Sequence, residues 1–230
     1  MKNKKTNIKR RYKIWVLLIA IPLLLQASVA VAPAVKITSF WDNNPIPQYL
    51  DMGNFEWAQS AVDDLSQYGI INGYVEDGKN YFKANSLMDR AEFAKVVVSA
   101  FGAYDGNVEN NMLDNPSYWW AYKYIGSAVE NGIAKGYSTE WFGAQDPILR
   151  QDVAVMLVKA IDNAGIILPI KNSGVVFADD SQISDYAKTA VSRLASAGIV
   201  QGDKNNYFYP QKDAERAEIA VMVDRVINGQ

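Results

Sequence analysis

Apolar and polar positions along this chain repeat themselves every 60 or so residues, in three copies. Trp57, Trp120 and Tyr186 align, and each is followed by an alanine (Ala58, Ala121, Ala187). Further apolar residues stand five and eight positions on, as Val62 and Leu65, Ile125 and Ala128, Val191 and Leu194. Offsets of +1, +5 and +8 from the aromatic lie on one face of a helix. A glycine twelve positions on (Gly69, Gly132, Gly198) predicts the C-terminal stop of that helix. A second glycine follows four residues later (Gly73, Gly136, Gly202), then an aromatic (Phe82, Phe142, Phe208), and eight residues beyond that an arginine (Arg90, Arg150, Arg216). Each arginine opens a second predicted helix with apolar residues at +3, +7 and +11: Phe93/Val97/Phe101, Val153/Leu157/Ile161 and Ile219/Val223/Ile227. The loop between second glycine and phenylalanine varies, spanning nine positions in the first copy and six in the others.

Each unit therefore predicts helix, glycine-turned loop, helix. One such pair cannot bury its apolar stripe alone, so the units must share a core. The expected fold is all-α: three tandem helix–loop–helix repeats, 49–101, 112–163 and 175–228, forming a pseudo-threefold helical bundle. A linear solenoid is the alternative. Segments 102–111 and 164–174, which carry Gly, Asn and Pro between them, read as linkers. Upstream of each first helix stands an aspartate (Asp51, Asp114, Asp179), a good cap or turn residue.

The N-terminus breaks the pattern. Residues 1–13 carry seven cations and no acid, and an apolar run from Ile14 to Leu25 and a small-residue stretch to Ala32 follow. This is the layout of a secretory signal peptide, here 1–32 with cleavage after Ala30 or Ala32, and 33–48 is then a short N-terminal segment. The apolar run of 12 is short of the roughly 20 residues that cross a bilayer. Membrane contact is expected only if this segment stays uncleaved. The repeats would then fill nearly all of the mature chain and leave no cargo domain.

Removing the signal alters the charge. The whole chain is −2, and the mature part holds 16 bases against 25 acids, a net of −9. A nucleic-acid partner needs a basic face and is not expected; an anionic ligand needs a local cationic site. With no cysteine and no histidine, disulfides, Cys-based zinc sites and Ser-His-Asp triads are excluded. No metal site or cofactor is expected.

The pattern Asp51 … Trp57-Ala58 … Gly69-Ile70-Ile71-Asn72-Gly73-Tyr74 … Phe82 … Asp89-Arg90-Ala91-Glu92-Phe93 resembles the S-layer homology domain family, and the two later copies share it. The resemblance implies a non-catalytic anchor whose inter-repeat grooves bind secondary cell-wall polysaccharide, an anionic polymer commonly bearing a pyruvyl ketal. It implies a protein of the cell wall or S-layer, with S-layer proteins as further partners; the signal-like N-terminus and the absence of cysteine, common in Gram-positive export, make a secreted protein of a Gram-positive cell wall the expectation. The implied glycan-binding residues are Asp51, Trp57, Gly73, Tyr74, Arg90, Asp114, Trp120, Gly136, Tyr137, Arg150, Asp179, Tyr186 and Arg216.

Physical chemistry supports two readings of most of these. A cation in the first turn opposes the helix dipole, so three such arginines suggest a carboxylate site made of helix N-terminus and guanidinium. Pairing with an acid of a neighbouring repeat is the alternative. Trp57 and Trp120 offer faces for sugar stacking or for core packing. The aspartates accept from sugar hydroxyls or cap helices. Gly73 and Gly136 admit a ligand or a turn with φ > 0. The family usually has Thr before the arginine; here Asp89 can still cap, Leu149 cannot, and Glu215 adds a negative charge. Repeat three also has Tyr186 for Trp and Asp203 for Tyr. These departures rank repeat one first for binding, repeat two next and repeat three as structural, with Arg90→Ala more damaging to binding than Arg216→Ala. Two other functions stay open: an extracellular protein-interaction scaffold with degenerate glycan sites, and a wall glycosidase, for which no carboxylate pair stands out.

Overall fold

The computed structural model describes residues 46–229; the expected signal peptide and most of segment 33–48 lie outside the described residues. Six helices occur in that span: α1 (Gln59–Gln67), α2 (Arg90–Ala100), α3 (Tyr122–Glu130), α4 (Arg150–Asn163), α5 (Asp185–Ser196) and α6 (Arg216–Ile227). One antiparallel hairpin, β1 (Tyr74–Glu76) and β2 (Lys79–Tyr81), is added to them. Mostly helical structure was expected; the hairpin was not. It occupies the longer loop of the first repeat, turned by Asp77 and Gly78 at φ of 50° and 73°. Two consecutive residues with positive φ are what a two-residue turn matching strand twist requires.

The apolar face predicted for each first helix is buried. Ala58, Val62 and Leu65, Ala121, Ile125 and Ala128, and Ala187, Val191 and Leu194 are at most 1% exposed. Each helix stops at its glycine, with φ of 66° at Gly69, 67° at Gly132 and 75° at Gly198. The next residue closes the end by donating back to a carbonyl five residues earlier: Ile70 to Leu65, Ile133 to Ala128 and Ile199 to Leu194, at 2.8–2.9 Å. Phe82, Phe142 and Phe208 are fully buried in the one contiguous core.

Helices pair between repeats. α3 packs on α2, α5 on α4, and α1, the first helix, on α6, the last. Each amphipathic stripe is thus covered by a neighbouring unit. The segments ahead of the second helices interlock as well. Met88 N–H donates to Ala214 O (3.1 Å), Ala214 N–H to Ile148 O (2.8 Å) and Ile148 N–H to Met88 O (3.0 Å). These three equivalent positions form a closed cycle.

The starts of the second helices differ in their caps. At α2 the Glu92 N–H donates to Asp89 Oδ1 (2.6 Å) and the Asp89 N–H to Glu92 Oε2 (3.3 Å), a complete capping box. Leu149 provides no side-chain cap, as expected. At α6 the Glu215 N–H reaches Glu218 Oε2 (3.0 Å), and Lys212 pairs with the Glu215 carboxylate at 2.9 Å. Burial, opposed by its hydrogen bonds, raises the Asp89 carboxyl to about 6. The folded state therefore holds a proton there between about pH 4 and 6 that the unfolded chain has lost, so this group stabilises the fold below pH 4 and its contribution disappears as pH rises to 6. Urea midpoints measured from pH 4 to 7 should show that decline in the wild type, and Asp89→Asn should flatten it. Identical pH profiles would contradict the assignment.

Candidate functional site

Among the described residues, three clefts each draw on all three repeats. Groove 1, about 330 Å³, is lined by the loop Ile70–Tyr74, by Glu92, Lys95 and Val96 of α2, by Trp120 of repeat two and by Arg216 of repeat three. Groove 2, about 420 Å³, combines Ile133–Lys135, Tyr137 and α4 residues including Asp152 and Lys159 with Arg90 and Tyr186. Groove 3, about 720 Å³, combines Ile199–Asp203, Tyr207, Tyr209 and α6 residues including Glu218 and Arg225 with Arg150 and Trp57. The ranking by repeat therefore has no counterpart in the structure: the loop of repeat one works with Arg216, and Arg90 works with the loop of repeat two.

The arginines take the alternative role. Arg90, Arg150 and Arg216 are 5%, 8% and 3% exposed. Each guanidinium stacks on the core phenylalanine of the next repeat, 4.9–5.2 Å from its centroid. Each Nε–H donates to that residue's carbonyl: Arg90 to Phe142 (3.2 Å), Arg150 to Phe208 (2.9 Å) and Arg216 to Phe82 (3.0 Å). Nη2 of Arg90 and Arg216 also donates to Lys135 O and Asn72 O. Nη1 faces an acid of the same neighbour: Asp152 at 3.9 Å, Glu218 at 3.0 Å and Glu92 at 3.6 Å. A buried cation needs such a set of partners.

The helix N-termini are also occupied. The first two amides of each second helix donate to a neighbouring repeat: Arg90 and Ala91 to Asp146 and Ala144, Arg150 and Gln151 to Lys212 and Pro210, Arg216 and Ala217 to Ser86 and Ala84. The expected anion site of free helix amides is absent because inter-repeat packing satisfies those donors.

The aspartates lie outside the groove linings and do not cap the first helices. Asp51 accepts from the amides of Phe82 and Lys83, Asp114 from Phe142, Gly143 and Ala144, and Asp179 from Phe208 and Tyr209, all at 2.7–2.9 Å. They tie the entry of each repeat to its own turn. Gly73 and Gly136 have no positive φ, so the turn explanation fails. A Cβ on Gly136 would meet Trp141 O at 2.6 Å, and one on Gly73 would meet Tyr81 O at 2.5 Å. The protein's own backbone occupies the space.

The aromatics divide. Trp57, Trp120 and Tyr186 are 58%, 48% and 59% exposed on the groove lips, which rules out core packing. Tyr186 is held by donating to Asp152 Oδ1 (2.7 Å), and burial and that bond push its hydroxyl up to about 12. Tyr74 donates to Glu92 Oε1 at 3.0 Å, and Tyr137 lies over Arg90 at 4.7 Å. Asp203, in the place of those tyrosines, accepts from Tyr209 Oη and from the amides of Asn205 and Tyr207. Sequence reasoning missed Lys95, Lys135, Lys159, Lys212 and Arg225, all groove residues. Lys159 and Arg225 both stand nine positions after their helix-start arginine, a repeated cation that was there to be read.

These exchanges define a repeat protein whose units complete one another's clefts. The S-layer homology domain matches residues 48–94, 114–154 and 176–220, more than half of the sequence, and the chain belongs to that family. It is 27% identical over 167 residues to an amylopullulanase of Thermoanaerobacterium thermosulfurigenes, a match covering 73% of this chain and 9% of that protein. It is 28% identical over 188 residues to S-layer protein EA1 of Bacillus anthracis (78% and 21%). It is 27% identical over 135 residues to a cellulosome-anchoring protein of Acetivibrio thermocellus (57% and 29%). The chain spans less than a third of the length of each of these relatives.

Proposed function

We propose that this chain is a non-catalytic anchoring module of the bacterial cell wall that binds an anionic secondary cell-wall polysaccharide in the grooves between its repeats. One observation carries the reading. Of 15 bases among the described residues eight line the three grooves, against four of 24 acids. The grooves are thus locally cationic on an acidic molecule, which concentrates an anionic polymer where the clefts are. Exposed indole and phenol faces at the lips suit sugar rings. A pyruvyl ketal carboxylate is the anion we favour.

The buried arginines shape the groove floors in this reading, while Trp57, Trp120, Tyr186, Tyr74 and Tyr137 meet the glycan. The three repeats are taken as a pseudo-threefold body, supported by the cyclic backbone bonds and cross-repeat helix pairs. The names of relatives in S-layers and cellulosome anchoring favour attachment at a secreted, Gram-positive cell surface. The amylopullulanase match covers too little of that protein to bring its catalysis with it. For groove 3 alone, contact with S-layer protein is a second reading, carried by the acid Asp203 in its wall.

The protein should co-sediment with purified wall sacculi. Binding should fall when secondary polymer is stripped or ketals are removed by acid. Co-sedimentation unchanged by both treatments would overturn the anionic-glycan reading.

A further inference from the structure

Asn72, in the loop that lines groove 1, has surroundings that bear on its own covalent chemistry. Three Asn-Gly pairs occur in the sequence: Asn72-Gly73, Asn131-Gly132 and Asn228-Gly229. In two of them the side-chain amide is held. Asn131 Nδ2 donates to Ser127 O (2.9 Å) and Ala103 O (3.2 Å), and Asn228 Nδ2 to Asp224 Oδ1 (2.6 Å) and Asp64 Oδ2 (3.2 Å). The Asn72 side chain is exposed and makes no hydrogen bond with a described residue. Its main chain, by contrast, is fixed. Asn72 O accepts from Arg216 Nη2 at 2.7 Å, and the Gly73 N–H donates to Tyr49 Oη at 3.0 Å. One peptide unit therefore has a guanidinium on its oxygen and an acceptor on its N–H. The equivalent oxygen in repeat two, Lys135 O, accepts from Arg90 Nη2 in the same way, but a lysine side chain has no carbonyl carbon. In repeat three the position is Gln201, whose longer side chain would have to close a larger ring.

We infer that Asn72-Gly73 is a self-modification site, at which the chain loses ammonia and gains a carboxylate in groove 1. The Gly73 nitrogen gives up its proton to solvent base and attacks Cγ of Asn72. The Cγ–Nδ2 bond breaks, ammonia leaves with a proton from water, and a cyclic imide forms. Deprotonation places negative charge on Asn72 O, where Arg216 already donates, so the charge develops against a fixed cation. Gly73 presents no Cβ to hinder the attacking nitrogen. Water then opens the ring, one molecule consumed for each ammonia released. Arg216 polarises the former main-chain carbonyl, so water adds there and the bond from that carbon to the Gly73 nitrogen breaks. The chain then runs on through Cγ as isoaspartate. The freed α-carboxylate stays beside Arg216 as its ion-pair partner. The effect on the groove rests on the reading of the grooves as glycan sites. Groove 1 is lined by two cations, Lys95 and Arg216, and one acid, Glu92. A second acid cancels that excess, so an aged chain loses its hold on an anionic polymer there.

The test incubates the folded full chain at neutral pH and follows the three pairs by peptide mapping that separates asparagine, aspartate and isoaspartate. Asn72 should react on the order of tenfold faster than Asn131 or Asn228, whose amides must first leave their acceptors. In concentrated urea the three pairs should react alike, and the isoaspartate share at position 72 should be lower than in the folded chain. That comparison needs no substitution and so does not depend on any variant folding. Reaction at Asn72 no faster than at the other two pairs of the folded chain overturns the inference. An isoaspartate share that folding leaves unchanged overturns the part given to Arg216. When a partly aged sample is mixed with sacculi, the unbound fraction should be enriched in modified chain, and Asn72→Gln should not age in this way. Equal modification of bound and unbound chain overturns the effect on the groove. Failure of fresh chain to bind sacculi overturns the anchoring reading, while the reaction at Asn72 stands on its own readout.

Discussion

Arg216→Ala should lower folding stability by about 3–5 kcal/mol, the range for removing one partner of a buried ion pair. The guanidinium is 3% exposed and belongs to the last repeat, yet its partners all belong to the first. Truncation deprives Phe82 O and Asn72 O of their donors, leaves Glu92 without its cation, and strips a planar group from the faces of Phe82 and Tyr74. Arg216→Lys should recover only part of the loss, because an ammonium cannot reach two carbonyls and an acid in one plane. Urea unfolding followed by near-ultraviolet circular dichroism reads the effect without any ligand. A wild-type midpoint in Arg216→Ala would mean that the arginine serves a ligand alone.

Asp179→Ala should lower stability by about 3 kcal/mol, since it leaves the buried Phe208 amide and the part-buried Tyr209 amide without an acceptor. Asp179 is 2% exposed, and its two carboxylate oxygens accept from Phe208 N–H at 2.9 Å and Tyr209 N–H at 2.7 Å. Tyr209 stands at φ of 58°, so the carboxylate also holds a turn that a non-glycine residue disfavours. Asp179→Asn keeps one oxygen acceptor and should show a smaller loss. The same unfolding experiment checks both variants, and equal stability of Asp179→Ala and wild type would remove the aspartate from its structural role. Both substitutions test the framework of the grooves.

Much of the fold was legible along the chain. Helix-period apolar positions, a glycine at each helix end and the thrice-repeated spacing depend on local geometry, and local geometry is written locally. The stops at Gly69, Gly132 and Gly198 came from the need for a left-handed residue after each first helix. The requirement for a shared core also followed, because an amphipathic pair must be covered by something. Even the failed cap at Leu149 could be read, since a leucine has no acceptor to offer.

The site was less legible, because a repeat in sequence is not a unit in space. Trp57, Gly73 and Arg90 stand in one copy of the motif and in three different surroundings: Trp57 on groove 3, Gly73 beside groove 1 and Arg90 in groove 2. Sequence alone determined three helix–loop–helix units, their apolar faces and stops, and the residue types that chemistry would need. Only the tertiary structure decided that the arginines are buried fasteners, that neighbouring carbonyls cover the helix amides, and that Lys95 is left facing a cleft. The physical reason is that burial and hydrogen-bond satisfaction depend on what packs opposite, and here every partner that matters comes from another repeat.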